Sequence, residues 1–518
     1  MNEILAGLNL EQKQAVVYKG GPLLVLAGAG SGKTRVLTHR AAYLVTQNQA
    51  KANQLLLLTF TNKAAGEMKE RLVSLLRQSS DLKFAGGRNG PFAGTFHSFC
   101  AFVLRLDGQG IGLPRSFVIY DTGDQLSLIK ELIKEKNLSD EDVKPQMVAG
   151  IISSAKNDLI DAQTYAESVS EPWQEPISDI YFEYEKRLKS ADAVDFDDLL
   201  LKAIRLFQKR KEILDKYRYR FQHVLVDEYQ DTNRCQYLLT KLLAKKHKNL
   251  TAVGDAAQSI YSWRGANYKN MMNLAKDFKN LKVLNLEQNY RSTKVILDAA
   301  NSVIVKNKKH PTLKLFTKNL FGDKIVLYEA STGNDEANFV SEKVKQLVDF
   351  DGVDPKQIAI LYRTNAQSRT MEESFIRYSI PYVLIGGVKF YNRAEVKDVL
   401  SLVRIFHNPK DEVSWKRIEA NFGKRRKAKV EKFVEKNKDQ DWKTQDLFQE
   451  ITLASTYLEK YNPQDPDDYR QLENIKEMLS VAKQFPDVGD FLENVALVQQ
   501  EYSASEKENA KMVATIKL

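Results

Sequence analysis

Short apolar segments alternate with amphipathic segments along residues 1–110. The segments Pro22–Leu26 and Leu55–Thr59 are apolar on both faces, which is typical of buried strands in a parallel sheet. The segment Lys63–Leu76 carries alanine, methionine and leucine at helical spacing, so it predicts an amphipathic helix after the second strand. This alternation of strand, loop and helix predicts a doubly wound α/β core.

The pattern changes between residues 111 and 190. Amphipathic segments such as Asp124–Glu135 and Ile180–Leu188 dominate there, and no strand is predicted, so we expect an all-helical insertion. Strands return at Val224–Asp227, Leu250–Asp255 and Val283–Leu286.

A second set of strands is predicted at Lys324–Glu329, Gln357–Tyr362 and Pro381–Ile385, and the chain is helical and highly charged beyond about residue 390. The segment Met512–Leu518 has the pattern of one more strand. We therefore predict an α/β protein with a first core of residues 1–110 and 191–284, a helical insertion of residues 111–190, an incomplete second core of residues 285–385 that resumes at about 511–518, and a second helical insertion of residues 386–510.

Composition narrows the class of protein. The chain has 77 basic and 67 acidic residues, and this excess of +10 suits a polyanion such as nucleic acid, although an ordinary basic protein has a similar balance. The two cysteines, Cys100 and Cys235, and the six scattered histidines have no metal-type spacing, which argues against a zinc site or a disulfide framework. No secretory signal and no window of 18 apolar residues is visible, so we expect a cytoplasmic protein without membrane spans.

A glycine-rich run, AGAGSGKT, directly follows the first apolar strand. Such a loop directs backbone N–H groups at a phosphate chain, with the lysine on the terminal phosphates and the hydroxyl on Mg²⁺. A structural turn would explain the glycines but not a Lys-Thr pair at a helix start, although the strict pattern has glycine at the first position. The predicted phosphate-binding residues are Ala27, Gly28, Ala29, Gly30, Ser31, Gly32, Lys33 and Thr34.

Two acids, Asp227 and Glu228, end another apolar strand, where open α/β sheets bind ligands. Asp227 can hold Mg²⁺, and Glu228 can polarise the attacking water. Two acids at a solvent-facing strand end are the alternative. Together with the glycine-rich loop, they predict a nucleotide hydrolase.

Six segments then appear in a familiar order: LNLEQKQAV from Leu8, TFTNKAAGEMKERL from Thr59, GTFHSFC from Gly94, VDEYQDTN from Val226, VGDAAQSIYSWRGA from Val253 and LEQNYRS from Leu286. With the glycine-rich loop, the chain resembles the UvrD/PcrA/Rep group of superfamily 1 DNA helicases over essentially its whole length. The resemblance implies two RecA-like P-loop cores. It also implies an ATP-dependent 3′→5′ helicase that acts on single-stranded DNA and single-strand/duplex junctions in repair, replication or recombination.

The resemblance assigns further roles around ATP and Mg²⁺. Gln12 would read the adenine, Tyr290 would stack on it, and Arg35 would lie beside the nucleotide. Gln258 would sense the γ-phosphate, and Arg291 would be an arginine finger that stabilises charge in the transition state. A surface salt bridge is the alternative for Arg291.

The resemblance also implies a DNA track in which aromatic rings stack on bases beside cationic or polar groups. A tryptophan next to an arginine is often packing, and Phe96, Phe99 and Phe102 can be core residues. The implied DNA contacts are Phe60, Asn62, His97, Phe99, Tyr261, Trp263, Arg264 and Arg363.

For each of three other segments, two interpretations remain open. The acids of Asp195–Leu199 and the charged residues of Gly386–Asp398 can be structural hinges or contacts. Asn421–Lys429, with one glycine and a basic run, lies where the family carries a duplex-DNA contact, and a solvated helix face is the alternative.

The chain departs from the family pattern at two places. Ala257 stands where the family usually has an acid, which can alter coupling or Mg²⁺ organisation. The family's T-x-H-x-x-K-G-L-E-F and T-R-A segments, the second with another arginine finger, are not present. We therefore expect a fragment of a longer product, with a natural short form as the alternative. By itself it should bind ATP, hydrolyse it weakly and not unwind DNA processively. The alternatives are an ATP-responsive DNA clamp or accessory subunit, and the motor of a helicase–nuclease, for which no nuclease-type carboxylate segment is visible.

Overall fold

The computed structural model describes residues 2–79, 90–139, 143–262, 265–308, 312–362, 366–382, 391, 393–462 and 465–497. The chain divides into two compact units, Met1–Ile325 and Val326–Leu518. Within the described residues, no helix combines the length and the apolar character needed to span a bilayer.

The first unit is built on a six-stranded parallel sheet with the strand order β3-β2-β6-β7-β1-β8. The strands in the middle of this order carry mostly buried apolar side chains. Strands that are apolar on both faces are typical of a parallel sheet covered by helices on its two sides. The predicted first α/β core is confirmed. Its strands are β1 Leu23–Ala27, β2 Leu55–Thr59, β3 Phe92–Thr95, β6 His223–Val226, β7 Leu250–Gly254 and β8 Lys282–Leu286.

The helices of this core pack their apolar sides against the sheet. Val36, Leu37 and Met68 are fully buried in one cluster with the strands β1 and β2. The predicted helix after β2 is confirmed and is longer than expected. The helices are α1 Asn2–Leu5, α2 Leu10–Val17, α3 Lys33–Thr46, α4 Asn62–Ser79, α5 Phe96–Asp107, α10 Phe196–Lys209, α11 Lys211–Arg220, α12 Arg234–Ala244 and α13 Lys269–Asp277.

The inserted segment is mainly helical, but it begins with a strand that the sequence pattern did not predict. Strand β4, Val118–Tyr120, pairs in parallel with β5, Ala193–Asp195, and all six residues are buried. Three residues are too few to produce a recognisable period, so the pattern could not detect this pair. Between them lie α6 Thr122–Glu135, α7 Pro145–Asn157, α8 Ala162–Glu167 and α9 Glu175–Ser190.

Beyond β8 the chain forms one small parallel pair. Strand β9, Gln288–Asn289, pairs with β10, Phe316–Thr317, and α14, Lys294–Ile304, lies between them along the chain.

The predicted strands of the second core are wrong for the residues that the structure describes. The segment Lys324–Glu329 is not a strand, and Ile325, Val326 and Leu327 are 62, 72 and 94% exposed. Within Gln357–Tyr362 only Ile360 makes a bridge. Of the predicted strand Pro381–Ile385, Pro381 and Tyr382 are irregular, and residues 383–385 lie outside the described residues. An apolar run becomes a strand only where neighbours satisfy its backbone groups, and no described strand pairs with these segments.

In the residues that the structure describes, the second unit is mainly helical, and the helical region predicted beyond about residue 390 is confirmed as far as residue 497. Val399, Leu402 and Ile451 are fully buried in the main hydrophobic cluster of this unit. The segment Met512–Leu518 lies outside the described residues. The helices are α15 Gly333–Lys345, α16 Ala366–Arg377, α17 Ala394–His407, α18 Glu412–Asn437, α19 Thr444–Ser455 and α20 Pro466–Ala482.

Candidate nucleotide site

The glycine-rich loop connects β1 to the first turn of α3. Gly30 and Gly32 have φ angles of +67° and +88°, which are left-handed conformations that favour glycine. A Cβ atom on Gly28 would lie 2.2 Å from Leu315 Cδ2, and one on Gly30 would lie 2.7 Å from Asn289 Nδ2. The loop therefore needs glycine both for its conformation and for the close approach of its neighbours. It ends at a helix N-terminus, which attracts anions.

Lys33, the first residue of α3, contacts two of the other predicted catalytic residues. Its Nζ atom donates a hydrogen bond to Gln258 Oε1 at 2.9 Å and forms an ion pair with Glu228 Oε2 at 3.1 Å. The Lys33 side chain is 10% exposed and the Glu228 side chain 34% exposed. The structure thus brings together the lysine, the acid after β6 and the glutamine after β7 at the carboxyl edge of the sheet.

Thr34 and Asp227 form the second contact of the site. The Thr34 hydroxyl donates a hydrogen bond to Asp227 Oδ2 at 2.8 Å. Burial and the neighbouring Glu228 raise the pKa of Asp227 to about 6, against the opposing effects of Thr34 and Lys33. One carboxylate and one hydroxyl are oxygen ligands of the kind that Mg²⁺ prefers when phosphates and water supply the rest. The described residues contain no cluster of three or more His, Cys, Asp or Glu that would bind a metal without such help.

Gln230 joins the two strand ends, and sequence reasoning did not single it out although it lies in the quoted VDEYQDTN segment. Its Nε2 group donates to Glu228 Oε2 at 2.9 Å, and its Oε1 atom accepts from the backbone N–H of Asp255 at 3.0 Å. Asp255 Oδ2 in turn accepts from Gln258 Nε2 at 2.7 Å. This chain of hydrogen bonds fixes the Gln258 amide so that its oxygen faces Lys33. Ala257 lies in the short turn between Asp255 and Gln258 and donates its N–H to Asp255 Oδ1.

The N-terminal segment attaches to the loop through Gln12. This buried side chain donates from Nε2 to the Ser31 carbonyl at 2.8 Å, and its backbone N–H donates to Asn9 Oδ1 at the start of α2. Arg35 is exposed, and its guanidinium lies over Gly7, where a Cβ atom would be 2.9 Å from Nη2. Both predicted nucleotide-binding residues therefore lie next to the loop.

The segment around Arg291 is fastened to the same loop. Asn289 donates from Nδ2 to the Ala29 carbonyl at 2.7 Å, and its Oδ1 atom accepts the N–H groups of Arg291 and Ser292 at 2.8 and 2.7 Å. The Tyr290 N–H donates to the Gly30 carbonyl at 2.9 Å, and the Tyr290 side chain is 48% exposed. Asn289 is 2% exposed and is a second residue that sequence reasoning missed, although it lies in the quoted LEQNYRS segment.

Two of the predicted DNA contacts stack on each other. The rings of Phe60 and Tyr261 lie parallel, 5.5 Å between centroids and 10° between planes, beyond the carboxyl ends of β2 and β7. Asn62 begins α4, and the half-buried His97 meets Phe196 edge-on.

Of the two interpretations left open for Phe99, DNA contact or core residue, the structure supports the core. Its side chain has no exposed surface, because it packs against Phe92, Tyr217 and Phe221 inside the core. Trp263, Arg264 and Arg363 lie outside the described residues.

The acids of Asp195–Leu199 take part in a buried network around Lys156. Lys156 Nζ lies 2.5 Å from Glu185, 2.7 Å from Asp195 and 3.0 Å from Asp198, and its side chain has no exposed surface. Burial lowers the pKa of Lys156, but the three carboxylates outweigh burial and hold it well above its ordinary value. This cluster is a structural junction of the helical insertion.

In the second unit, Asp398 has a comparable structural role. It is 2% exposed and accepts hydrogen bonds from Arg417 Nε at 2.7 Å, Asn421 Nδ2 at 2.8 Å and the Tyr457 hydroxyl at 2.5 Å. Asp398, at the end of Gly386–Asp398, therefore connects its own helix to α18 and to the turn at Tyr457.

The basic run of Asn421–Lys429 lies at a break in α18. Gly423 has φ 76° and ψ 163°, so the helix stops there and starts again at Lys424. Lys424 and Arg425 are exposed, while Lys427 pairs with Glu419 at 2.8 Å.

Comparison with known families gives two matches that together cover most of the chain. Residues 8–279 match the UvrD/REP helicase N-terminal domain, and residues 284–511 match the UvrD-like helicase C-terminal domain. The first match includes the glycine-rich loop, both acids and Gln258. The second begins just before the segment of Tyr290 and Arg291.

Curated relatives agree with these matches. The chain is similar to the ATP-dependent DNA helicase PcrA of Bacillus subtilis, with 46% identity over 80% of this chain and 55% of the relative. It is 45% identical to PcrA of Staphylococcus aureus strain Mu50 over 81% of this chain and 56% of the relative, and 38% identical to PcrA of Leuconostoc citreum over 98% and 74%. The chain thus spans about half the length of the first and second of these relatives. It belongs to the UvrD/REP helicase family.

Proposed function

We propose that the protein works as an ATP-dependent DNA helicase that moves 3′→5′ along single-stranded DNA, in DNA repair, replication or recombination in the cytoplasm. The observation that carries this proposal is the contact of Lys33 Nζ with both Gln258 Oε1 and Glu228 Oε2. These are the three residue types needed to bind a terminal phosphate, to detect it and to activate water beside it. The relatives named PcrA support the choice of DNA helicase.

The residues fit ATP with Mg²⁺. The loop Ala27–Gly32 and Lys33 would hold the phosphates, Thr34 and Asp227 would hold Mg²⁺, and Gln12, Arg35 and Tyr290 would lie around the base and ribose. When bound, Mg²⁺ neutralises charge on the phosphates.

Lys33 has to exchange partners when a phosphate binds. In this structure its ammonium group is shared between Glu228 and Gln258. A phosphate oxygen is the stronger competitor for the lysine, so binding would release the Glu228 carboxylate. Glu228 can then orient a water molecule and accept its proton, while Gln258 and Arg291 stabilise charge on the transferring phosphoryl group.

We propose that single-stranded DNA crosses the carboxyl edge of the sheet over the Phe60–Tyr261 pair. Stacking on aromatic rings holds a strand without sequence preference. Asn62 and His97 lie at neighbouring strand ends and would contact the backbone or bases. Trp263, Arg264 and Arg363 are further proposed DNA contacts.

The proposed domain organisation has two RecA-like cores. The first comprises residues 1–110 and 191–284, and the second comprises residues 285–385 with a continuation at about 511–518. The helical insertions are residues 111–190 and 386–510. This division is supported by the pair of family matches, which meet between residues 279 and 284.

Tailed duplexes test this function. We expect ATP hydrolysis that single-stranded DNA stimulates, and strand separation on a duplex with a 3′ tail but not on one with a 5′ tail. The matched control is the Lys33→Met variant, which should retain DNA binding and lose both activities. Equal unwinding from both tails would contradict the direction, and ATP hydrolysis without any response to single-stranded DNA would contradict a DNA motor.

We further propose that the basic run Lys424–Lys429 contacts duplex DNA at a junction. The support is its exposure directly after the break at Gly423. Reversing the charges of Lys424, Arg425 and Arg426 should weaken binding to a single-strand/duplex junction and make it less dependent on salt. An unchanged salt slope would favour the solvated helix face instead.

A further inference from the structure

The sheet of the first unit has a second edge, opposite the nucleotide site. All six strands are parallel, so the loops that enter them lie together at the amino edge. Backbone contacts join these loops: the Lys282 N–H donates to the Pro22 carbonyl at 2.9 Å, and the Val224 N–H donates to the Asn249 carbonyl at 3.0 Å. Five-residue strands separate the two edges by about 16 Å.

The loops that enter five of these strands contain no acid, and four of them contain lysine. These loops are residues 18–22, 47–54, 221–222, 245–249 and 278–281, and none contains aspartate or glutamate. By contrast, the carboxyl edge carries Asp227, Glu228 and Asp255. The seven exposed lysines of these loops and of the start of β8, which we name the lysine edge, are Lys19, Lys51, Lys245, Lys246, Lys248, Lys279 and Lys282.

Several exposed lysines elsewhere in the described residues have an acidic partner, unlike the members of the lysine edge. On helices elsewhere, Lys186 pairs with Glu183, Lys438 with Glu435 and Lys476 with Glu473, at 3.2, 2.7 and 2.7 Å. Among the residues that the structure describes, no member of the lysine edge forms an ion pair within 4.0 Å.

The acid nearest in sequence to this edge is already occupied. Asp277, just before the loop that enters β8, pairs with Lys241 at 2.5 Å and also accepts a hydrogen bond from Tyr237. Asp277 also interacts electrostatically with Lys245 and offsets part of its charge. The other lysines of the edge have no such partner among the described residues, so their charge is left for a partner outside the chain.

The chemistry of the edge fits a phosphate backbone better than a protein. From β2 to β8 the strand order contains four spacings of about 4.8 Å, so the lysines spread over roughly 19 Å. One strand of a duplex carries a phosphate about every 3.4 Å along its axis, so this length faces about six phosphates. Protein interfaces instead centre on buried apolar anchors with few charges.

We propose that the lysine edge binds the sugar-phosphate backbone of duplex nucleic acid, as a site separate from the nucleotide site and from the proposed single-strand path. Lysines read charge rather than sequence, and they suit a duplex, whose bases are not exposed for stacking. The protein would then hold a duplex segment on one edge of its sheet while the other edge works on a single strand.

The test compares two triple variants of the full chain that each remove three positive charges. The edge variant is K245Q/K246Q/K248Q, and the matched control is K186Q/K438Q/K476Q. Binding to a blunt 20-base-pair DNA duplex is measured between 50 and 200 mM salt. We expect the edge variant to bind about tenfold more weakly at 100 mM, with a log–log salt slope shallower by about 2 to 3, because each lost phosphate contact removes about 0.9.

The same measurement with a 20-base-pair RNA duplex separates the two sources of backbone: a loss confined to DNA assigns the edge to DNA, and an equal loss assigns it to either duplex. Equal weakening of the edge and control variants, or none in the edge variant, would overturn the proposal. So would unchanged duplex binding together with lost binding of polyglutamate, since that result assigns the edge to an acidic protein.

Single-strand-stimulated ATP hydrolysis by the edge variant should match that of the unchanged chain. This readout keeps the two proposals distinct: absent hydrolysis in the unchanged chain defeats the motor function, whereas the duplex measurement alone decides the lysine edge. Lysine acetylation with and without duplex gives a direct map. DNA should protect Lys245, Lys246 and Lys248 and leave Lys186 and Lys476 reactive, and the reverse pattern would contradict the proposal.

Discussion

Lys33 and Lys156 both form ion pairs with carboxylates, yet the two sites differ in access. Lys33 Nζ contacts Glu228 and Gln258 at the edge of a sheet, and the Glu228 side chain is 34% exposed. Lys156 Nζ contacts Glu185, Asp195 and Asp198 with no exposed surface of its own. A ligand can therefore reach the Lys33 ammonium group and displace its partners, whereas the Lys156 ammonium group is closed to ligands.

The difference indicates how to distinguish a binding lysine from a structural one. Within the Lys156 cluster, Asp195 also accepts hydrogen bonds from the Tyr184 hydroxyl and the Asp198 N–H. Lys33 has few partners, and one of them, Glu228, is partly exposed to solvent. Removing one member of a buried ion cluster greatly lowers the free energy of unfolding, whereas an accessible ion pair contributes little and can exchange its partner.

The largest effect should come from Lys156→Met. The substitution keeps an apolar stem of similar length but leaves three carboxylates without their shared cation, so we expect the free energy of unfolding to fall by about 3–5 kcal/mol. Urea denaturation followed by circular dichroism measures this loss. If Lys156→Met were as stable as the unchanged chain, the cluster would not be the structural junction described above.

The second-largest effect should come from the same substitution, lysine to methionine, at the nucleotide site. Lys33→Met should lower ATP turnover by roughly 100- to 1,000-fold, the cost of removing one donor that stabilises developing charge. Its unfolding free energy should change by less than about 1 kcal/mol, because the Lys33–Glu228 pair is accessible to water. A steady-state hydrolysis assay and urea denaturation of one preparation give both numbers. A large loss of stability with near-normal turnover would reverse the assignment of the two lysines.

The sequence predicted the strands and the loop of the nucleotide site because their signals are local. Leu55–Thr59 is apolar on both faces, and the run Ala27–Thr34 encodes its own turn. Asn289, Gln230 and Lys156 could not be predicted in this way, since their partners Ala29, Asp255 and Asp195 lie 260, 25 and 39 residues away. Only the folded arrangement brings such pairs together.

The failure at Lys324–Glu329 has a related cause. An apolar run reports that its side chains favour burial, but a strand also needs a neighbour for its backbone groups. Val118–Tyr120 shows the opposite case, because three buried residues became a strand once Ala193–Asp195 lay beside them. Neither outcome can be predicted from the run alone.

The smallest expected effect is a pH dependence of the free energy of unfolding, and it tests the Lys156 site most directly. Asp197 lies beside the Lys156 cluster, where burial and Asp195 raise its pKa from 3.8 to about 6, against hydrogen bonds from Ser153 and Asn157. Above pH 6 the carboxylate is charged in both states, and the folded state bears the cost of burying it. Between pH 6 and 3.8 the folded state takes up a proton that the unfolded state does not, so this cost disappears on acidification.

Asp197→Asn removes the buried charge while its Oδ1 atom can still accept from Asn157 Nδ2, which lies 2.8 Å from that oxygen in the unchanged chain. We therefore expect the variant to be more stable by about 1–3 kcal/mol at pH 8, with the difference vanishing near pH 4. Urea denaturation at both pH values measures it, with Asp179→Asn as the control because that carboxylate is 70% exposed. A variant that is less stable than the unchanged chain at pH 8, with a deficit that shrinks on acidification, would mean that Asp197 is held as a carboxylate by Lys156.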